Sequence, residues 1–125
     1  MEKIFTDKAP KAIGPYSQAI KLGDLVYTSG QIPIDPESGE IEANDIEGQT
    51  EQVCKNLGAV LEASGASLSS VIKTTCFLQD MSDFAAFNGV YREYFISSPA
   101  RSCVAVKSLP KGSLVEIEAV AKIEK

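Results

Sequence analysis

Between Asp45 and Gly65 the apolar residues Val53, Leu57, Val60 and Leu61 recur at helical spacing, while the segments on either side alternate with period two. A chain whose hydrophobic period switches in this way is neither all-α nor all-β. Asp45 suits an N-cap and Gly65 a C-terminal stop, which predicts a first helix of about five turns. A second helix is expected after Ser82, read as its cap. There Phe84, Phe87, Tyr91, Tyr94 and Phe95 fall on one face and gather five of the nine aromatic residues. A face that apolar must be covered.

Ser17–Leu22 and Leu25–Ser29 read as a hairpin, because Gly23 in Gly23-Asp24 supplies the positive φ that a type II′ turn needs at its first central position. Ser70–Leu78 is rich in β-branched residues, Arg101–Val106 is a short strand, and Leu114–Glu124 places Val115, Ile117, Ala119, Ala121 and Ile123 on one face. Gln31–Glu40 is crowded with Pro, Gly and acids and is expected to be a surface loop. The order of elements predicts an α+β fold, a mixed sheet with both helices on one face. No repeat or linker divides residues 1–125, and a 13.4 kDa chain should fold to roughly 6,500 Å² of surface, so one domain is expected. Gly48 and Gly89 lie inside the two helices at about 1 kcal/mol each relative to Ala, which makes those helices dependent on packing.

Seventeen acids against twelve bases give a net charge of −5, which repels phosphate backbones and anionic membranes. No nucleic-acid or membrane partner is expected. No signal-like or spanning segment is visible, so a cytoplasmic location is expected. The chain contains no His, which removes Ser-His-Asp and Cys-His nucleophiles, His-based zinc sites and imidazole acid-base chemistry. Cys54, Cys76 and Cys103 are odd in number and widely spaced, as reduced thiols would be.

Two features stand out chemically. Arg101 is one of two arginines, and alternation places it with Cys103 on one strand face and Ser102, Val104 and Val106 on the other. If the second set is core, the guanidinium points into a groove, where its planar fork suits a carboxylate; the alternative is a strand-end Arg paired with an acid on a solvated face. Glu116 and Glu118 share the non-core face of the last strand and invite a cation from a neighbouring strand, with Arg101 the first candidate. One of them would order or deprotonate a water beside a bound anion; the alternative is an exposed polar face. Asn88 at the edge of the aromatic stripe, Tyr16 after a Gly-Pro turn, and the Thr28-Ser29-Gly30 strand end, with a hydroxyl and a close backbone approach, are weaker candidates. Cys103 has no cation visible to activate it as a nucleophile.

Six blocks together closely resemble the RidA family of reactive-intermediate (enamine/imine) deaminases, also called YjgF-like. They are Ile13-Gly-Pro-Tyr-Ser-Gln18, Thr28-Ser-Gly-Gln-Ile-Pro33, Asp83-Phe84 with Asn88 and Tyr91, Pro99-Ala-Arg-Ser-Cys103, Leu109-Pro-Lys-Gly112 and Val115-Glu-Ile-Glu-Ala119. The resemblance covers nearly the whole chain. It implies a chorismate-mutase-like subunit in a homotrimer with a barrel-like core and clefts between subunits. It also implies hydrolysis of 2-aminoacrylate, 2-iminopropanoate and 2-iminobutanoate to 2-oxoacids and ammonia, without metal or organic cofactor. Arg101 then matches the family's carboxylate anchor and Glu116 its water-handling glutamate. Tyr16, Ser29, Gly30, Asn88 and Cys103 match cleft residues, and Phe84 supplies an apolar wall. Two alternatives are a sensor for small 2-oxo or amino acids that binds without turnover, and a ribonuclease or translation inhibitor. The connection Ile96–Ala100 is shorter than the resemblance leads one to expect, which bears on the cleft rim and substrate range.

Overall fold

The computed structural model describes residues 1–124 and buries one core, leaving 6710 Å² exposed. Its elements are β1 (Glu2–Ile4), β2 (Ala19–Leu22), β3 (Leu25–Thr28), α1 (Ile46–Ala63), β4 (Val71–Leu78), α2 (Phe84–Tyr94), β5 (Ala100–Ala105) and β6 (Val115–Lys122). They form a six-stranded sheet in the order β1-β2-β3-β6-β4-β5, antiparallel except for β4 and β5, with α2 as the crossover between that parallel pair. The expected α+β class, mixed sheet and two helices are all present.

The local determinants are those of the sequence. Leu22 pairs with Leu25 across the hairpin, and Gly23 has φ +60° while Asp24 is not in the positive region, as a II′ turn requires. The Asp45 carboxylate accepts from the Gly48 N–H at 2.8 Å, and α1 ends before Gly65 at φ +87°. Val53, Leu57, Val60 and Leu61 are fully buried against the sheet, where Val115, Ile117, Ala119 and Ala121 of β6 meet them. Ser82 does not cap the second helix. Asp80 accepts from the Ser82 N–H at 2.8 Å and caps a short 3-10 turn, Met81–Asp83, that feeds α2 at Phe84. A carboxylate four residues before the first aromatic begins a tighter turn than a helix start at Ser82 allows.

Both helices lie on one face of the sheet. The opposite face, bearing Ile20, Leu22, Tyr27, Phe77, Val104, Glu116 and Glu118, is left without a covering layer among the described residues. Leu22, Tyr27 and Val104 stand 57%, 46% and 47% exposed on it. Apolar side chains and the two glutamates are interspersed on this face.

Candidate functional site

Arg101, the second residue of β5, lies opposite Thr74 of β4, and both face the helices. Its Nη1 donates to Asn88 Oδ1 of α2 at 2.6 Å, and its guanidinium carbon lies 4.8 Å from the Tyr91 ring centroid and 5.4 Å from that of Phe84. The aromatic stripe of α2 is therefore the bed on which the guanidinium rests. Tyr91 is fixed by a 2.7 Å hydrogen bond between its hydroxyl and Thr74 Oγ1 and by stacking on Phe95 at 4.3 Å. No carboxylate lies within 4 Å of Arg101 among the described residues. Half-buried, held on one side and unpaired, the guanidinium keeps donors for an anion. Cys103 lies two residues on along the same face; burial raises its thiol pKa, against the opposing pull of Arg101.

This reverses the conditional reading of β5. Ser102 and Val104 are the exposed set, and Arg101 with Cys103 turn toward the helices. Nor is Arg101 the cation for Glu116 and Glu118. Strand β4 separates β5 from β6, and the register sets Phe77 against both Glu116 and Val104, which places the two glutamates on the helix-free face.

Glu116 has its own surroundings. After Tyr27 pairs with Val120, β3 breaks from the ladder: the Thr28 hydroxyl accepts from the Ala119 N–H at 3.0 Å, and pairing resumes as an isolated bridge between Gln31 and Ile117. Four residues on one side span three on the other, so Ser29-Gly30 forms a bulge beside Glu116. A Cβ on Gly30 would overlap the Glu116 carboxyl, whose Cδ would stand 2.8 Å away. Burial pushes the Glu116 pKa above the ordinary carboxylate range, and Glu118 adds to the rise. The Ser29 hydroxyl donates to the Ser17 carbonyl at 2.6 Å and ties the bulge to the segment carrying Tyr16. Tyr16, half exposed, lines a groove of about 330 Å³ with Gly30, Gln31, Pro110 and Lys111.

The eight candidates thus fall into two clusters, Arg101, Asn88, Phe84 and Cys103 on one face, and Glu116, Ser29, Gly30 and Tyr16 on or beside the other. No single cleft of one chain holds both. Tyr91 was missed as a support because an apolar stripe hides a hydrogen-bonding role, while the hydroxyl expected at the Thr28-Ser29-Gly30 strand end is present and accepts from Ala119 at Thr28. Asn56, which donates to the Ile32 and Ile34 carbonyls at 3.1 and 2.9 Å and pins the Gln31–Glu40 loop, did leave a signal: a polar residue three after Val53 on the buried stripe. Among the described residues no cluster of three metal-ligating side chains forms, and no helix is long and apolar enough to cross a membrane.

Comparison with known proteins places this arrangement in a class. Residues 6–123 match the family described as Endoribonuclease L-PSP, and the chain belongs to it, within the RidA group of that family. A RutC family protein of Pyrococcus abyssi is 58% identical over 121 residues, covering 96% of this chain and 95% of that one. Reactive Intermediate Deaminase A of Arabidopsis thaliana chloroplasts is 50% identical over 123 residues, 98% of this chain and 66% of the plant protein. The crystal structure of Escherichia coli TdcF with bound serine superposes with a TM-score of 0.94 at 44% identity, covering 99% and 100% of the two chains.

Proposed function

We propose that this protein hydrolyses small 2-imino acids, with their enamine tautomers, to 2-oxoacids and ammonia. The observation that carries the reading is the half-buried, unpaired guanidinium of Arg101, oriented by Asn88 and backed by Tyr91 and Phe84. The deaminase name of the plant relative and the serine bound by TdcF agree with an amino-acid-sized anion as ligand.

The chemistry asks little of a protein. A C=N carbon beside a carboxylate is already electrophilic, so catalysis needs an anchored anion and a placed water. Arg101 grips the carboxylate. Glu116, with its raised pKa, accepts a proton from the attacking water and delivers it to nitrogen; it then carries the hydroxyl proton of the tetrahedral adduct to the same nitrogen, so that C=O forms as the C–N bond breaks and ammonia leaves. The Gly30 N–H, without a backbone acceptor among the described residues, is a donor beside that carboxyl. Because the two clusters lie on opposite faces, a complete site takes Arg101 from one subunit and the partner subunit's Glu116. A homotrimer closed over the helix-free apolar faces supplies both the cover and the cleft.

The test generates 2-aminoacrylate from serine with a dehydratase and follows pyruvate release. Acceleration by wild type, lost about 100-fold or more in Arg101→Ala, is expected from two charge-assisted hydrogen bonds. Acceleration that survives Arg101→Ala contradicts the reading. Binding of serine or 2-oxobutanoate with no acceleration assigns a binding module instead.

A further inference from the structure

A second cation stands beside the anchor. Arg92, the only other arginine of the chain, lies on the last turn of α2, and its Nε donates to the Asn88 carbonyl at 3.3 Å. Asn88 therefore holds Arg92 through its backbone oxygen and Arg101 through its side chain. The two arginines line one groove of about 420 Å³ with Tyr91, Phe95, Ile96 and Pro99. No acid lines it, and among the described residues no carboxylate lies within 4 Å of either guanidinium. The exposed Arg92 and the half-buried Arg101 thus both keep guanidinium donors available to an anion in this groove.

The short connection to β5 keeps this groove open. Ser98 adopts a left-handed φ of +51°, its N–H donates to the Phe95 carbonyl at 3.1 Å, and the Ser97 hydroxyl donates to the Val71 carbonyl at 3.2 Å. The chain turns back at once to Pro99 and leaves no flap over the arginines. The apolar Ile96, Phe95 and Pro99 fit a short methylene spacer between two charged ends.

We infer that Arg92 is a specificity-determining residue which binds a second carboxylate, so that dicarboxylic 2-imino acids of the kind formed from acidic amino acids are substrates. The inference rests on the deaminase reading for its reaction, which stays the same hydrolysis of C=N by water with release of ammonia. The groove itself can be tested without turnover.

The experiment compares wild type with Arg92→Gln. Imines are generated in situ by oxidation of glutamate and of alanine, and kcat/KM is taken for each; affinities for 2-oxoglutarate and 2-oxobutanoate are measured by calorimetry. The expected result is that the diacid-to-monoacid ratio falls about 10-fold in both measurements, the scale of one charge-assisted contact at a partly exposed site, with the kinetic change in KM rather than kcat. Both ratios unchanged, or no 2-oxoglutarate binding by wild type, overturns the inference while leaving deamination standing. Loss of the binding ratio in a protein that turns over no imine keeps the groove and removes the deaminase reading.

Discussion

Arg101 and Glu116 stand on opposite faces of the same sheet, with β4 between their strands. Each lies among supports of its own, Asn88 and the α2 aromatics for the arginine, the Ser29-Gly30 bulge for the glutamate. In the proposed reaction the two groups come from two chains.

Asn88 orients the guanidinium. Asn88→Ala removes a hydrogen bond to a charged group and should lower kcat/KM about 10-fold through KM. Asn88→Asp keeps the geometry but neutralises the anchor, and should cost more than Ala. Steady-state kinetics of the two variants check this; equal kinetics for Asp and wild type would contradict it.

Gly30 is required for space rather than for backbone freedom, since its φ is not in the left-handed region. Gly30→Ala forces the Glu116 carboxyl from its place. Hydrolysis should drop with little loss of thermal stability, because the displaced group is half-exposed and has room to swing out. Unfolding scans beside rate measurements separate the two effects.

The pKa of Glu116 is raised in the folded protein, so the folded state holds its proton more tightly than the unfolded chain. The stabilising effect is complete below the ordinary carboxyl pKa near 4.5 and is lost as pH rises through the folded value. Glu116→Gln should therefore gain in Tm relative to wild type as pH rises above about 4.5, and the difference should level off once Glu116 is ionised. A difference that stays flat with pH would show that burial does not perturb this carboxyl.

The cysteines differ in reactivity. Burial drives Cys54 far above the ordinary thiol range and pushes Cys76 up to about 12, and both side chains are fully enclosed. At pH 7.5 a thiol reagent should modify Cys103 alone, and slowly, with the other two reacting only on unfolding. Mass spectrometry of the labelled protein reads the sites.

Much of the frame was legible because each element carried its own signal. The Gly23 turn, the Asp45 cap, the Gly65 stop and the alternation of β6 are local, and local chemistry decides them. The face taken by Arg101 was not legible, since β5 offers Cys103 on one side and Val104 on the other, and a sheet with apolar residues on both faces gives alternation no direction. The separation of Arg101 from Glu116 depends on strand order, which β5, parallel to β4 and reached through α2, does not encode in its own residues. The cap expected at Ser82 failed because Asp80, two residues earlier, accepts the Ser82 N–H and starts a 3-10 turn ahead of α2.

The joint between the halves is tested most directly by mixing defects. Arg101→Ala and Glu116→Gln proteins, each inactive alone, are co-expressed in equal amounts and assayed for imine hydrolysis. Sites that draw the arginine from one subunit and the glutamate from the next should recover about one quarter of wild-type activity under random assembly. Activity no greater than that of the separate variants would contradict a cleft shared between subunits.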